Sequence, residues 1–400
     1  MTKQNLLGGL LAATLLLASC QDSAGFPQST PAPSSQPEES KVPVSSSVSE
    51  ETAQPETDSS LFAQWAPRAR EIMEGMTPER KVAQMLLSAT FLDDGDPVAQ
   101  AKTDQPGGYV FFRKDFEGLD AQTIREKVDA MQAVSEIPML FAVDEEGGTV
   151  VRISSNPLLR ETPFQSAAEV YAQGLDFVRS DALEKGELLR SLGCNVLLAP
   201  VADMTENPED YIYRRTTGKG PEETSAYVKA VVEGAAEAGC GTTLKHFPGY
   251  GNNINTHTGI AVDERPYENF LEKDFLPFQA GIEAGCPSVL VSHNIVNCMD
   301  PDLPASISPE VHRILREELG FTGVIMTDDL TMDAILLYTG EEDPAVLAVQ
   351  AGNDLLLTQN FPKTYEAIWN ALQDGRISQE TIDEAVVRVL SWKLSLGLMT

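Results

Sequence analysis

Residues 222–246 read EETSAYVKAVVEGAAEAGCGTTLKH and contain one complete helix–strand repeat. Apolar residues recur at helical spacing over Glu222–Ala238, and Gly239 is the usual C-terminal stop of a helix. The short run Thr242–Lys245 follows, with the length and branched residues of a buried strand. A helix followed closely by such a strand is the repeating unit of α/β proteins with a parallel sheet.

The same alternation extends along the chain in both directions. Helical periodicity also covers Leu271–Ala284 and Pro309–Leu319, each closed by a glycine. Seven further strand-like runs occur at Met85–Ala89, Gly108–Phe112, Met139–Val143, Asn195–Pro200, Ser288–Ser292, Gly323–Met326 and Asp354–Leu357. Eight strands alternating with helices predict an α/β fold, a single (β/α)₈ barrel of the TIM type. A doubly wound open sheet is the alternative, although no GxGxxG follows the first strand, which disfavours its dinucleotide-binding form.

The N-terminus predicts a targeting segment. An apolar run over Leu6–Ala18 is too short for a permanent membrane span. It ends in Leu17-Ala18-Ser19-Cys20, which resembles the lipobox of bacterial lipoproteins, where cleavage leaves the cysteine as the lipid-bearing N-terminus. We therefore predict that residues 1–20 are a lipoprotein signal peptide lipidated at Cys20. An ordinary secretory signal with a chance cysteine is the alternative.

Residues 21–60 differ in composition from the rest of the chain. They contain eleven Ser and six Pro with almost no large apolar side chains, so they cannot bury enough surface to offset their ordering entropy. We predict a disordered tether here and one catalytic domain over residues 61–400. Together with the lipobox, this predicts an extracytoplasmic protein held at the membrane by its lipid.

The composition excludes several classes of protein. The chain has 29 Lys and Arg against 60 Asp and Glu, a formal net charge of −31, so no nucleic-acid partner is expected. Its five cysteines show neither CxxC spacing nor an even disulfide framework. We expect no metal site and no cofactor, and we expect a monomer.

Polar residues fall at the ends of five predicted strands. They are Asp144, Asp203, Lys245 with His246, His293, and Asp328 with Asp329. In a barrel these strand ends share the C-terminal face, where barrel enzymes hold their active sites. One charged strand end is commonly a loop residue or a helix cap, whereas five of them indicate a site.

Four segments resemble glycoside hydrolase family 3, in its β-N-acetylglucosaminidase branch. Lys245-His246-Phe247-Pro248-Gly249-Tyr250-Gly251, with His257 soon after, is similar to the family's KHFPGHG…D-S/T-H signature. Val143–Gly148 with Arg152 resembles VDxEGGxVxR, and weaker matches lie at Asn207-Pro208 with Arg215–Gly218 and at Thr327–Leu330. The resemblance implies a (β/α)₈ barrel that hydrolyses terminal β-linked N-acetylglucosamine with retention of configuration.

Retention requires a carboxylate nucleophile on one face of the sugar and a proton donor on the other. The resemblance places the nucleophile at Asp328, which ends its strand, and the donor at His257; Asp329 is then a structural carboxylate or cap. It implies that Asp144, Arg152, Asp203, Arg215, Lys245, His246 and His293 bind the substrate, although Arg152 and Lys245 could serve only in ion pairs. The family pairs the loop histidine with an aspartate two residues earlier, where this chain has the uncharged Asn255.

Three functional hypotheses follow. The first is a surface-anchored exo-β-N-acetylglucosaminidase acting on peptidoglycan fragments or related glycans, through a covalent glycosyl-Asp intermediate. The second is a β-N-acetylglucosaminide phosphorylase, because a neutral histidine repels phosphate less than a carboxylate does, although no dedicated phosphate loop is present. The third is a non-catalytic glycan-binding lipoprotein, which Asn255 favours and the retained Asp328 and His257 oppose. A two-domain β-glucosidase is not expected, since no room remains for its second domain.

Overall fold

The computed structural model describes residues 61–89, 96–254, 261–339 and 343–400. The predicted signal peptide and tether therefore lie outside the described residues. So do Asn255 and His257.

Eight parallel strands form the sheet: β1 (Leu86–Ala89), β2 (Gly108–Phe111), β3 (Leu140–Val143), β4 (Val196–Leu197), β5 (Gly241–Phe247), β6 (Ser288–Val291), β7 (Val324–Thr327) and β8 (Leu356–Thr358). Their order is β7-β6-β5-β4-β3-β2-β1-β8. A parallel bridge between Met326 and Leu355 joins the two ends, and Thr327 N donates to Leu355 O at 3.1 Å. The sheet therefore closes on itself, which confirms the predicted barrel and excludes the open doubly wound sheet.

All eight predicted strands are present, but β4 is shorter than predicted. The sequence places a strand over Asn195–Pro200, whereas only Val196–Leu197 has regular strand geometry. Pro200 has no N–H to donate to a ladder, so a regular strand cannot continue through it. The side chain of Asn195 instead accepts a hydrogen bond from Phe141 N at 2.9 Å.

Helices surround the barrel and alternate with its strands. Their bounds are Leu61–Glu74, Pro78–Gln84, Pro97–Asp104, Arg113–Phe116, Ala121–Ala133, Ala167–Tyr171, Leu175–Ser191, Pro221–Glu237, Tyr267–Asn269, Phe275–Glu283, Pro309–Arg313, Asp333–Thr339, Pro344–Ala351, Phe361–Gln373 and Gln379–Ser395. Two of the predicted helices contain π-helical turns, at Phe270–Asp274 and Ile314–Glu318. Within the described ranges, no helix combines the length and apolarity needed to cross a membrane.

Apolar side chains fill the barrel and close its N-terminal end. Leu87 and Val110 belong to one buried cluster with Phe62 and Trp392 from the first and last helices. Trp392 lies against the start of β5, because a Cβ atom on Gly241 would be only 2.8 Å from its Nε1 atom. The N-terminal end is therefore filled, and the C-terminal end is left for a substrate.

Candidate active site

A cavity of about 470 Å³ opens at the carboxyl ends of the strands, a size typical of small-molecule sites. It is lined by Asp144, Glu146, Thr149, Val150, Arg152, Leu198, Tyr211, Arg214, Arg215, Lys245, His246, Leu290, Asp328 and Leu357. Six of the predicted site residues are in this set: Asp144, Arg152, Arg215, Lys245, His246 and Asp328. The structure thus brings together residues that are almost 200 positions apart in the chain.

The floor of the cavity is an ion-paired network centred on Lys245. Its Nζ atom lies 2.6 Å from both Asp144 Oδ1 and Glu146 Oε1. Arg215 donates to the two oxygens of Glu146, from Nε at 2.9 Å and from Nη2 at 2.7 Å. A fork of this kind fixes direction as well as distance. These side chains are therefore held in place before any substrate arrives.

Burial and pairing have opposite effects on Glu146. Burial alone would raise the pKa of this carboxyl, but the positive charges of Arg215 and Lys245 and their hydrogen bonds outweigh it. The net pKa lies far below the ordinary range, so Glu146 is a fixed anion at any physiological pH. Among the described residues, the negative charge of Glu146 is paired with two cations, Arg215 and Lys245.

Asp144 and Arg152 complete this side of the cavity. Arg152 Nη2 lies 3.6 Å from Asp144 Oδ2, while Lys245 holds the other oxygen of Asp144. Arg152 and Lys245 therefore each pair with Asp144 and also line the cavity. The ion-pair role and the sugar-binding role predicted for them as alternatives are geometrically compatible.

His246 is oriented by Asp203, which itself does not line the cavity. The Nδ1 atom of His246 lies 2.6 Å from Asp203 Oδ2, and since a carboxylate only accepts, the ring donates from Nδ1. Its Nε2 atom then accepts from Arg215 Nη2 at 3.1 Å. Asp203, only 1% exposed, also accepts from the backbone N–H groups of His246 and Tyr250. Its hydrogen bonds therefore hold His246 and the backbone that follows it.

Lys245 and His246 are sequence neighbours, and both face the cavity. In a regular strand successive side chains point to opposite faces. The pairing of β5 with β6 shifts register between Lys245 and Phe247, so the alternation is broken at this point.

Asp328 follows the last residue of β7 and lies on the cavity wall. Its N–H donates to Val291 O at 3.1 Å, and its Oδ1 accepts from Asp329 N at 2.8 Å. The carboxylate of Asp329 turns away and accepts from Thr331 N, Thr331 Oγ1 and Gln359 Nε2. Asp328 therefore lines the cavity, whereas the carboxylate of Asp329 is held within its own loop.

The position of His293 differs from the one predicted from the sequence. The sequence predicts a sugar contact for it, but its ring is fully buried and does not line the cavity. Its Nε2 atom donates to the backbone oxygen of Asp329 at 3.0 Å, which leaves Nδ1 to accept from Ser306 Oγ at 2.7 Å. His293 therefore supports the turn that follows Asp328.

The cavity is also lined by Glu146, Tyr211 and Arg214, which are not among the substrate-binding residues predicted from the sequence. Glu146 had a signal, because it is the glutamate of the VDxEGG match. The residue after Glu146 must be a glycine for two reasons. Gly147 has φ +101°, and a Cβ atom there would lie 2.0 Å from Gln165 O. By contrast, the neighbouring Glu145 is buried and accepts hydrogen bonds from the loop residues 152–154.

The described residues on both sides of 255–260 are firmly held. Arg265 donates to the carboxylates of Asp263 and Asp274 and, at 3.1 Å, to Gly249 O. Asn253 Nδ2 donates to Asp263 Oδ2 at 2.9 Å. The described residues that flank positions 255–260 are therefore fixed on both sides.

A closed (β/α)₈ barrel whose mouth holds a strand-end carboxylate above an ion-paired polar floor has the architecture of a barrel glycosidase. Residues 77–392 match the model of the glycosyl hydrolase family 3 N-terminal domain. The chain belongs to this family and is a glycoside hydrolase.

Named relatives agree with this assignment. The chain is 30% identical to a β-hexosaminidase of Nitrosomonas eutropha over 292 residues, 72% of this chain and 83% of that protein. It is similar to a solved family 3 β-N-acetylglucosaminidase from Paenibacillus sp. FPU-7, with TM-score 0.76 and 30% identity over 81% of this chain, but it spans only 63% of that protein. A family 3 glycosyl hydrolase from Mycobacterium smegmatis matches with TM-score 0.72 and 29% identity, over 80% of this chain and 98% of that one.

Proposed function

We propose that the protein is a retaining exo-β-N-acetylglucosaminidase that acts on peptidoglycan fragments or related glycans. The observation that carries this proposal is Asp328, a carboxylate at the end of β7 on the wall of the charged cavity. The names of the similar proteins support N-acetylglucosamine as the sugar.

In the proposed reaction, Asp328 attacks the anomeric carbon and forms a glycosyl ester. The bond from this carbon to the glycosidic oxygen breaks, and the leaving oxygen takes a proton from His257. Water then attacks the same carbon and gives a proton back to His257. The ester bond breaks, and Asp328 is released as a carboxylate. Two inversions give net retention.

The cavity floor positions the sugar for this attack. Asp144 accepts hydrogen bonds, Arg152 and Arg215 donate them, and Lys245 carries a charge that is already paired. Because these groups are ordered before binding, little reorganisation accompanies the reaction. We propose that they bind the sugar hydroxyls, with His246 held in its acceptor tautomer by Asp203.

One comparison tests the proposed activity directly. The purified protein is offered an aryl β-N-acetylglucosaminide and the matching aryl β-glucoside, and release of the chromophore is followed. We expect efficient turnover of the first and much slower turnover of the second. Binding of N-acetylglucosamine glycans without any turnover would instead support a non-catalytic lipoprotein.

Replacing Asn255 by aspartate tests His257 as the acid. An unperturbed histidine has a pKa of about 6.5, and an adjacent carboxylate is expected to raise it by about one unit. Since the first step consumes the proton, the alkaline limb of kcat/KM in Asn255→Asp should move up by about one pH unit. The measurement is the pH profile on a substrate with a poor leaving group. An unmoved limb, together with an intact rate in His257→Ala, would exclude His257.

We also propose that the protein is an extracytoplasmic lipoprotein. The sequence Leu17-Ala18-Ser19-Cys20 and the composition of residues 21–60 support this. Acyl chains contribute about 0.8 kcal/mol per buried CH₂, so two or more chains form a stable anchor.

Cys20→Ser is therefore expected to move the protein from the membrane fraction to the soluble fraction. The activity of the catalytic domain should be unchanged, because residues 61–400 are intact. Fractionation of cells followed by the aryl-glycoside assay measures both effects. A variant that stays with the membranes would rule out a lipid on Cys20 as the anchor.

A further inference from the structure

Three consecutive carboxylates follow β3, and they do not share a face. Asp144 and Glu146 line the cavity, whereas Glu145 lies outside the cavity lining and is fully buried. Glu145 therefore points away from the substrate, although both of its chain neighbours belong to the site. The reaction proposed above gives this middle carboxylate no task.

The carboxylate of Glu145 holds the backbone that carries Arg152. Its Oε2 atom accepts from Arg152 N at 2.8 Å and from Ile153 N at 2.6 Å. Its Oε1 atom accepts from Ser154 N at 3.3 Å and from the Ser154 hydroxyl. Hydrogen bonds to an ionised acceptor are about twice as strong as those between neutral groups. Four of them fix this stretch of backbone in both position and direction.

A tight turn brings Glu145 beside Arg152. Gly147 N donates to Val150 O at 3.1 Å, and Val150 N donates back to Gly147 O at 3.2 Å. The chain reverses between these two residues, so a side chain before the turn can reach the backbone after it. Arg152 is thus contacted from two adjacent positions, by Asp144 at its guanidinium and by Glu145 at its backbone N–H.

The guanidinium of Arg152 is held less firmly than that of Arg215. Arg152 Nη2 lies 3.6 Å from Asp144 Oδ2, which is longer than a hydrogen bond. Among the residues that the structure describes, the buried Nε atom of Arg152 has no hydrogen-bond partner. Arg215, by contrast, makes two short hydrogen bonds to Glu146. The direction of the Arg152 side chain therefore depends on how its backbone is held.

An amide cannot reproduce the hydrogen bonds of Glu145. Both carboxylate oxygens accept, whereas an amide has one acceptor oxygen and an NH₂ group that only donates. Glu145→Gln therefore sets its NH₂ group against at least one backbone N–H of residues 152–154. Burial raises the pKa of the Glu145 carboxyl above its ordinary value, and the hydrogen bonds from these residues oppose that rise.

We propose that Glu145 is a positioning residue for Arg152. Its carboxylate fixes the backbone of Arg152 and thereby directs the guanidinium toward Asp144 and the sugar. The inference rests on the proposed function, in which Arg152 binds the sugar. It adds to that function a buried residue that acts on the substrate through another side chain.

A double-mutant cycle on an aryl β-N-acetylglucosaminide tests this coupling. Glu145→Gln is expected to lower kcat/KM of the otherwise wild-type protein by about tenfold, a common coupling between residues in contact. In the Arg152→Ala background the same substitution should lower kcat/KM by less than about twofold, because the side chain that it positions is gone. KM and kcat should change in the same proportion in Glu145→Gln as in Arg152→Ala.

Glu161→Gln is the matched control, since it removes an exposed carboxylate from the same loop and should keep the wild-type kcat/KM. Glu145→Asp retains the charge and should lose less than Glu145→Gln; it takes the place of Glu145→Gln in the cycle if that variant does not fold. An equal loss in both backgrounds would overturn the inference, because Glu145 would then support only the fold. Wild-type activity in Arg152→Ala would overturn it as well.

Failure of the proposed activity has a different signature. A wild-type protein that binds N-acetylglucosamine without cleaving the aryl glycoside would refute the activity and leave Arg152 as a sugar-binding residue. The same cycle, measured on the affinity for N-acetylglucosamine, then decides the role of Glu145. Absence of both binding and turnover in the wild type would overturn the activity and the inference together.

Discussion

Asp328→Ala is expected to lower kcat/KM by about 10⁴-fold or more, as removal of an essential nucleophile does in other enzymes. Within the described residues, the other carboxylates lining the cavity, Asp144 and Glu146, are held in ion pairs and cannot replace it. The fold should persist, because Asp328 is at the solvent-facing end of β7. The measurement is steady-state hydrolysis of an aryl β-N-acetylglucosaminide.

Asp329→Asn is the control for this prediction. The Asp329 carboxylate faces Thr331 and Gln359 rather than the cavity, so its loss should affect the rate far less than that of Asp328. A 5-fluoro N-acetylglucosaminyl substrate, which keeps the 2-acetamido group and accumulates the glycosyl-enzyme, should label the peptide containing Asp328, on that residue. A label on Asp329, or on any glutamate, would contradict the assignment.

Glu146→Ala is expected to have the second largest effect, this time on stability. The substitution removes a carboxylate partner from both Arg215 and Lys245 in a buried site. Breaking a buried ion pair by removing one partner costs about 3–5 kcal/mol. We expect the free energy of unfolding to fall by roughly this amount. Denaturant unfolding measures it, and the sugar affinity of the remaining folded protein should fall as well.

Glu146→Gln separates charge from shape and gives a pH dependence. Because the folded pKa of Glu146 is held far below its ordinary value of 4.5, its ionised form stabilises the fold at all pH values above 4.5. That contribution is lost only as the pH falls from 4.5 through the folded pKa. The stability difference between wild type and Glu146→Gln should therefore be constant from pH 8 to about pH 5 and shrink in stronger acid. A difference that disappears already at pH 6 would show that Glu146 is not a buried anion in the folded protein.

The barrel could be predicted from the sequence because its signals are local. Each strand is a short apolar run between helical patterns, and Gly239, Gly285 and Gly320 mark where three helices end. The polar residues at the strand ends could predict the position of the site for the same reason. Closure of the barrel alone brings Lys245 and Asp328 to one face.

The contacts that place each side chain could not be predicted in the same way. The ring of His293 is turned away from the cavity by Ser306 and by the backbone of Asp329, which are 13 and 36 residues further along the chain. Of the adjacent residues Arg214 and Arg215, Arg214 is exposed, whereas Arg215 is largely buried and pairs with Glu146, 69 residues away in the chain. Sequence spacing carries no information about such long-range pairs.

The closed N-terminal end of the barrel has a consequence for how the protein meets large substrates. Phe62, near the first described residue, is in the buried cluster of Trp392, and Trp392 lies at the start of β5. The chain therefore enters the barrel at the end opposite the cavity. The start of the described chain therefore leaves the mouth of the cavity clear for a bulky glycan.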